Sequence, residues 1–232
     1  MKANRLGVLA VAGVSVLALT GCSPSMGGDV AATVDGHTVT NSDVKFLAQM
    51  QCDAINAAVK DPNQASSVQP VSRKQLRADM VNALVQAQLN SELGKQQKTT
   101  YDRATYRQVM DQFEQAVQQA PEADRSRFRD LVGSLYQGQL EVYAIAAREL
   151  SDQGVAQPTQ QQVEALVGQL QDAFRAKAKV KIDPVYGAGK SGLAGSTDTS
   201  LSKAVSTFAK GSTSSPEDPT WLSGLPANQK CG

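Results

Sequence analysis

The sequence predicts a mainly α protein of about five helices, with a small β-sheet made by an N-terminal hairpin and a C-terminal strand. Three observations carry this. Apolar residues recur at spacings of three and four over several long segments. Ser/Thr–x–x–Gln patterns stand just ahead of two of those segments, as in a capping box. Two short β-prone runs flank Asp35-Gly36, a pair suited to a two-residue hairpin turn.

The elements follow in order. Val30 to Val34 reads as a strand and His37 to Val39 as its return. Thr40 is placed to cap a helix, with Asp43 three residues on, and that helix runs to about Val59, where Asp61-Pro62-Asn63 ends it. Ser72 with Gln75 predicts a second helix over 73–97, striped by Leu76, Met80, Val81, Leu84, Val85 and Leu89. A third, over 102–119, carries Tyr106, Val109, Met110, Phe113 and Val117. Pro121 stands where a first-turn proline is tolerated, so a fourth helix is expected from there to about Ser151. Gly133 and Gly138 weaken it by about 1 kcal/mol each relative to alanine, and suggest that a neighbour comes close. Thr159 and Gln162 form another capping-box pattern, opening a fifth helix to about Lys177. Val180-Lys181-Ile182 alternates like a short strand. After Gly187 the composition turns to Gly, Ser, Thr and Lys, which reads as flexible over 188–232. Trp221, Leu222 and Leu225 form a last apolar patch, and docking of 221–231 onto the helices is expected if a disulfide holds it.

Composition narrows the functional classes. The chain has 232 residues and a formal charge of +1, with no basic excess to attract nucleic acid. It has one histidine and three cysteines, too few for a clustered metal site once one cysteine is committed elsewhere. Gly189-Lys190-Ser191 matches the end of a phosphate-binding loop, but Pro184 stands where the pattern needs glycine, so no nucleotide is expected. His37 lacks the Gly-x-Ser-x-Gly turn of a hydrolase. Asp111 with Glu114, and the alternating charges of 123–129, read as solvated helix faces. No catalytic residue, metal or cofactor is assigned.

The first residues point to an export signal. Lys2 and Arg5 precede an apolar run from Leu6 to Leu19, too short to span a bilayer comfortably. Leu19-Thr20-Gly21-Cys22 resembles the bacterial lipobox. That resemblance implies a signal peptide over 1–21, a diacylglyceryl group on Cys22, a tether over 22–29, and a place on the extracytoplasmic face of the cell membrane. With Cys22 so used, Cys52 and Cys231 remain as an even pair in an oxidising compartment. They either bridge or stand unpaired, Cys52 on a helix and Cys231 loose in the tail.

Val30 to Val44 resembles the opening of the SurA-type and PrsA-type extracytoplasmic foldases, and Val180 to Gly187 resembles the strand that ends their chaperone module. The sequence departs from the family at Val185, often arginine there, and at Gly189, often tryptophan. The resemblance implies a SurA N-terminal-like domain over 30–187, in which the last strand returns to the first two and a helical lobe lies between. Many members insert a parvulin-type prolyl isomerase domain with paired histidines. Here the insertion point, around Gly154 to Pro158, holds almost nothing. The expectation is a membrane-anchored chaperone that binds unfolded secreted polypeptides without ATP and is not an enzyme, its peptide-binding residues unassigned. The alternatives are a scaffold lipoprotein of an envelope complex, or a peptidyl-prolyl isomerase with an atypical site.

Overall fold

A computed structural model describes residues 28–188, 192–195, 206–212 and 217–232. The segment read as an export signal, Cys22 and Gly189-Lys190-Ser191 lie outside them. The described chain is mainly helical, with two small antiparallel sheets. In order it forms β1 (Val30–Val34), β2 (His37–Thr40), α1 (Asn41–Lys60), β3 (Val71–Ser72), α2 (Arg73–Gln96), α3 (Arg103–Gln119) and α4 (Arg125–Asp152). Then come α5 (Gln160–Arg175), β4 (Val180–Ile182), α6 (Thr207–Gly211), α7 (Pro219–Ser223) and β5 (Lys230–Cys231). The five helices expected from the sequence are α1 to α5. The short α6 and α7 were not expected, because neither is long enough to show a period. No described helix is long and apolar enough to cross a membrane.

The first sheet has the order β2-β1-β4. Its turn holds Asp35 at φ 48° and Gly36 at φ 93°, the left-handed pair that matches strand twist in a tight hairpin. Asp35 also fixes the incoming third strand. Its backbone N–H donates to Lys179 O (3.1 Å), and its Oδ1 accepts from Lys179 N–H (2.8 Å). β4 then pairs antiparallel with β1, Val34 opposite Val180 and Ala32 opposite Ile182. β1 is thus the central strand, and Ala31, Ala32 and Val34 are fully buried under α1 and α2. The sheet ties the two ends of the helical lobe together.

Helix caps explain most boundaries. Thr40, Ser72, Asp102 and Thr159 each accept from a backbone N–H in the first turn of α1, α2, α3 and α5. At Thr159 the box is complete, with Gln162 returning to the Thr159 N–H. At Ser72 it is not. Gln75 turns to Asp79 (2.8 Å), and the Ser72 N–H goes instead to Glu217 (2.9 Å), from the far end of the chain. The fourth helix also starts later than expected. Pro121 stays extended at ψ 139°, a 3₁₀ turn covers Glu122–Asp124, and α4 begins at Arg125. The Arg125 guanidinium donates to Gln118 O and Ala120 O, so it closes α3 while opening α4.

α2 is the axis of the lobe, packed by α1, α4, α5 and the sheet. The two glycines of α4 do allow close approach. A Cβ on Gly138 would stand 2.9 Å from Ala87 O and 3.1 Å from Asn90 Cβ, both on α2. A Cβ on Gly133 would stand 2.5 Å from the Tyr106 hydroxyl on α3. α3 lies along α4, where Phe113 meets Tyr136 at 4.9 Å between ring centroids and Val117 is its one fully buried apolar side chain. The core runs from the sheet through Leu89 to Ile145 and Val142, then to Val167 of α5.

Between α2 and α4 sits Glu141, 8 % exposed, with its carboxylate against the bare Cα of Gly94. Burial pushes its carboxyl above the usual glutamate range, while the Gln137 amide and the Lys95 charge pull the other way. A carboxyl raised in the folded state binds its proton more tightly there than in the unfolded chain. Its contribution to stability is therefore largest at low pH and is lost as pH rises from the ordinary glutamate range through the raised value. Glu141→Gln is expected to raise the unfolding free energy at neutral pH by about 1–2 kcal/mol and to flatten the pH profile above that range. Urea titrations at a series of pH values check this, and parallel profiles for the two proteins would refute it.

Candidate functional site

The site is built where the C-terminal segment comes back to the start of α1 and α2. Cys52 on α1 and Cys231 on β5 are both fully buried and are joined by a disulfide, with Cα atoms 5.2 Å apart. The pair that the sequence left open is thus brought together across 179 residues. Ala48 and Leu76 close around it. β5 pairs with β3, Val71 opposite Cys231 and Ser72 opposite Lys230. The Gly232 N–H donates to Asn56 Oδ1 at 2.9 Å, which adds a second hold on α1.

α7 is fixed at both ends by local chemistry. Asp218 accepts from the N–H groups of Thr220 (2.7 Å) and Trp221 (3.1 Å), and Pro219 takes the first helical position, where its missing N–H costs nothing. The backbone donors of Trp221 and Thr220 hold the Asp218 carboxyl below its usual range. At the other end Lys230 Nζ donates to Ser223 O (3.0 Å) and Leu222 O (3.4 Å), a cation on the negative end of the helix. Trp221, Leu222 and Leu225 are buried together, with Phe208 of α6 over Trp221 at 6.3 Å. The expectation that this patch docks on the long helices is met in another way. The three form a cluster of their own, and Glu217, Cys231 and Gly232 make the attachment.

Glu217 is the joint. Its carboxylate accepts from both the backbone N–H and the hydroxyl of Ser72, at the positive end of α2. Two turns further along α2, burial raises the Asp79 carboxyl, the Gln75 amide opposes that, and the Glu217 charge adds to it. Upstream, Ala194 is buried against the lobe and clasped by Asn82, which donates to its carbonyl (3.1 Å) and accepts its N–H (2.9 Å). Parts of the segment read as flexible are therefore packed.

Between these pieces lies a cleft of about 900 Å³. Pro70 and Val71 form one wall and Pro219 and Leu222 the other, with Gln75, Glu217 and Lys230 at polar points along it. That size and mixture suit an apolar segment with a few hydrogen-bonding groups. Among the described residues no group of three His, Cys, Asp or Glu side chains is gathered as for a metal ion. The lone His37 lies exposed on β2, 3.4 Å from Glu92.

Sequence reasoning missed Glu217 and Lys230. Asp218-Pro219 carried a legible signal, a capping residue followed by a first-turn proline. Glu217 carried none, because its partner is 145 residues upstream. No protein-family profile, no curated protein and no solved structure matches the chain.

Proposed function

We propose that the protein is a lipid-anchored extracytoplasmic chaperone of the SurA/PrsA N-terminal type, without an isomerase domain. The observation that carries this reading is the sheet order β2-β1-β4, in which the last strand of the lobe returns to the N-terminal hairpin. The resemblance at the two ends of residues 30–187 implies that closure. The link over 153–159 between α4 and α5, where the family inserts its isomerase, is only a short connection.

In this reading an apolar stretch of an unfolded secreted polypeptide enters the cleft beside α7. Leu222, Val71 and the two prolines remove its side chains from water, and release needs no energy source, because binding is reversible and weak per contact. A lipid on Cys22 would hold the domain where such chains leave the membrane.

The test is light scattering of an unfolded client diluted out of denaturant, with the purified protein at stoichiometric ratio. Suppression of aggregation is expected. Pro70→Glu with Pro219→Glu, both exposed cleft positions, is expected to weaken client binding about tenfold or more, since each new carboxylate faces apolar surface. A wild-type protein that leaves the scattering unchanged overturns the reading.

A further inference from the structure

Another pocket lies between α1 and α2, and its chemistry differs from that of the cleft. It measures about 190 Å³ and is lined by Lys45 and Gln49 of α1 and by Arg73 and Arg77 of α2, over a floor of Ala48 and Leu76. Three cations thus face one small volume. Among the described residues none of the three makes an ion pair within 4.0 Å. The neighbouring acids accept from other groups, Asp29 from the Ser42 N–H and Asp183 from the Val185 N–H among them. Asp43 is paired with Arg127 (2.8 Å), Asp53 accepts from the Gln49 amide (2.8 Å), and Asp79 accepts from Gln75. Arg73 is held by one bond only, from Nη1 to Gln49 Oε1 at 2.8 Å, and its buried Nε has no hydrogen-bond partner among the described residues. A buried donor without a partner is costly, and like charges repel in a small space. Both costs are relieved by an oxyanion, and a guanidinium fork with an ammonium beside it matches the oxygens of a phosphate.

The position of the pocket selects the source of that phosphate. The first described residues run into the first turn of α1, where Asn41 Nδ2 donates to Gly28 O (3.1 Å) and the Ser42 N–H donates to Asp29 Oδ1 (2.9 Å). Lys45 is one turn further along the same helix. Cys22 precedes Gly28 by a stretch that spans at most about 20 Å when fully extended. A chain anchored at Cys22 would therefore carry this pocket close to the bilayer surface, where anionic headgroups attract basic groups.

We propose that the Lys45–Arg73–Arg77 pocket binds the phosphate of an anionic phospholipid headgroup and so sets which face of the domain meets the membrane. The proposal rests on the anchored reading for its geometry but is tested apart from it. The full chain is reconstituted in vesicles of phosphatidylcholine, with or without phosphatidylglycerol. Lysines are acetylated briefly, and modification is read by mass spectrometry, with Lys60 and Lys177 as internal references. Lys45 is expected to react about fivefold more slowly than the references when phosphatidylglycerol is present, the effect of roughly one basic contact at the surface. The protection is expected to disappear in phosphatidylcholine alone and to weaken in Arg77→Gln, an exposed position whose change leaves the core intact. Equal protection by inorganic phosphate in phosphatidylcholine vesicles would overturn the lipid source in favour of a free phosphate. No protection of the wild type in either vesicle would overturn the site itself. The mass of the natively expressed chain reports separately whether Cys22 carries a lipid, so failure of the anchor and failure of the pocket give different results.

Discussion

Replacing Cys52 and Cys231 together by alanine is expected to destabilise the protein by up to about 5 kcal/mol and to lower its melting temperature by about 10–20 °C. Most of that effect arises in the unfolded chain. The bridge joins residues 179 apart, so it excludes a large share of the open conformations that the unfolded protein would otherwise explore. The folded state adds a smaller loss. Both sulfurs lie in a closed cluster with Ala48 and Leu76, and trimming them leaves a gap there. Without the bridge the C-terminal segment keeps the two-residue ladder between β3 and β5, the Glu217–Ser72 contact and the Gly232–Asn56 bond. A ladder that short is marginal by itself. Urea unfolding of the wild type with and without reductant, beside the double variant, measures the loss. An unchanged midpoint would mean that the segment detaches before the lobe unfolds and that the bridge constrains only the segment.

Gly138→Val is expected to cost about 2–3 kcal/mol, against a small gain in helix propensity. The first added carbon would meet a backbone carbonyl, Ala87 O, at 2.9 Å, and Asn90 Cβ at 3.1 Å. Neither can move without shifting α2, which also carries the sheet contact and the start of the candidate cleft. The comparison is Gly168→Ala on α5, where an added Cβ meets nothing within 4 Å. That change removes conformational freedom from the unfolded chain and is expected to stabilise by about 0.5–1 kcal/mol. Thermal melts of the two variants should therefore move in opposite directions. A neutral Gly138→Val would mean that α2 and α4 separate easily, and that Gly138 does not mark their closest approach.

The contrast between these glycines marks how far the sequence could be read. Periodicity located α2 to α5 because each carries several turns of apolar stripe, and the Thr40 cap with the Asp61-Pro62-Asn63 stop bounded α1. Thr159-x-x-Gln162 predicted a boundary because both partners of the box lie within four residues. Asp35-Gly36 announced its turn because few residues accept φ near +50° or beyond. In each case the physical cause is local. Ser72-x-x-Gln75 has the same local appearance, yet Gln75 prefers Asp79 and Glu217 supplies the missing acceptor from 145 residues away. The β3–β5 ladder is two residues long, too short for alternation to register. Glu141 interrupts an apolar stripe, and its burial follows from Gly94 on another helix. The cleft inherits this problem, since its walls come from 69–75 and from 217–232, and only the folded chain brings them together.

The central place of β1 bears on the order in which the molecule assembles. β1 is among the first parts of the domain to be made, but its second neighbour, β4, emerges about 150 residues later. At ordinary translation rates that is a wait of about 8–30 s. A lone hairpin of this size is marginal in water, so β1 and β2 must shelter on α1 and α2 in the meantime, leaving one strand edge open to wrong partners. Cys52 waits longer still, because Cys231 lies 179 residues downstream. Until Cys231 has emerged the Cys52 thiol lacks its partner, and the covalent link can form only after that.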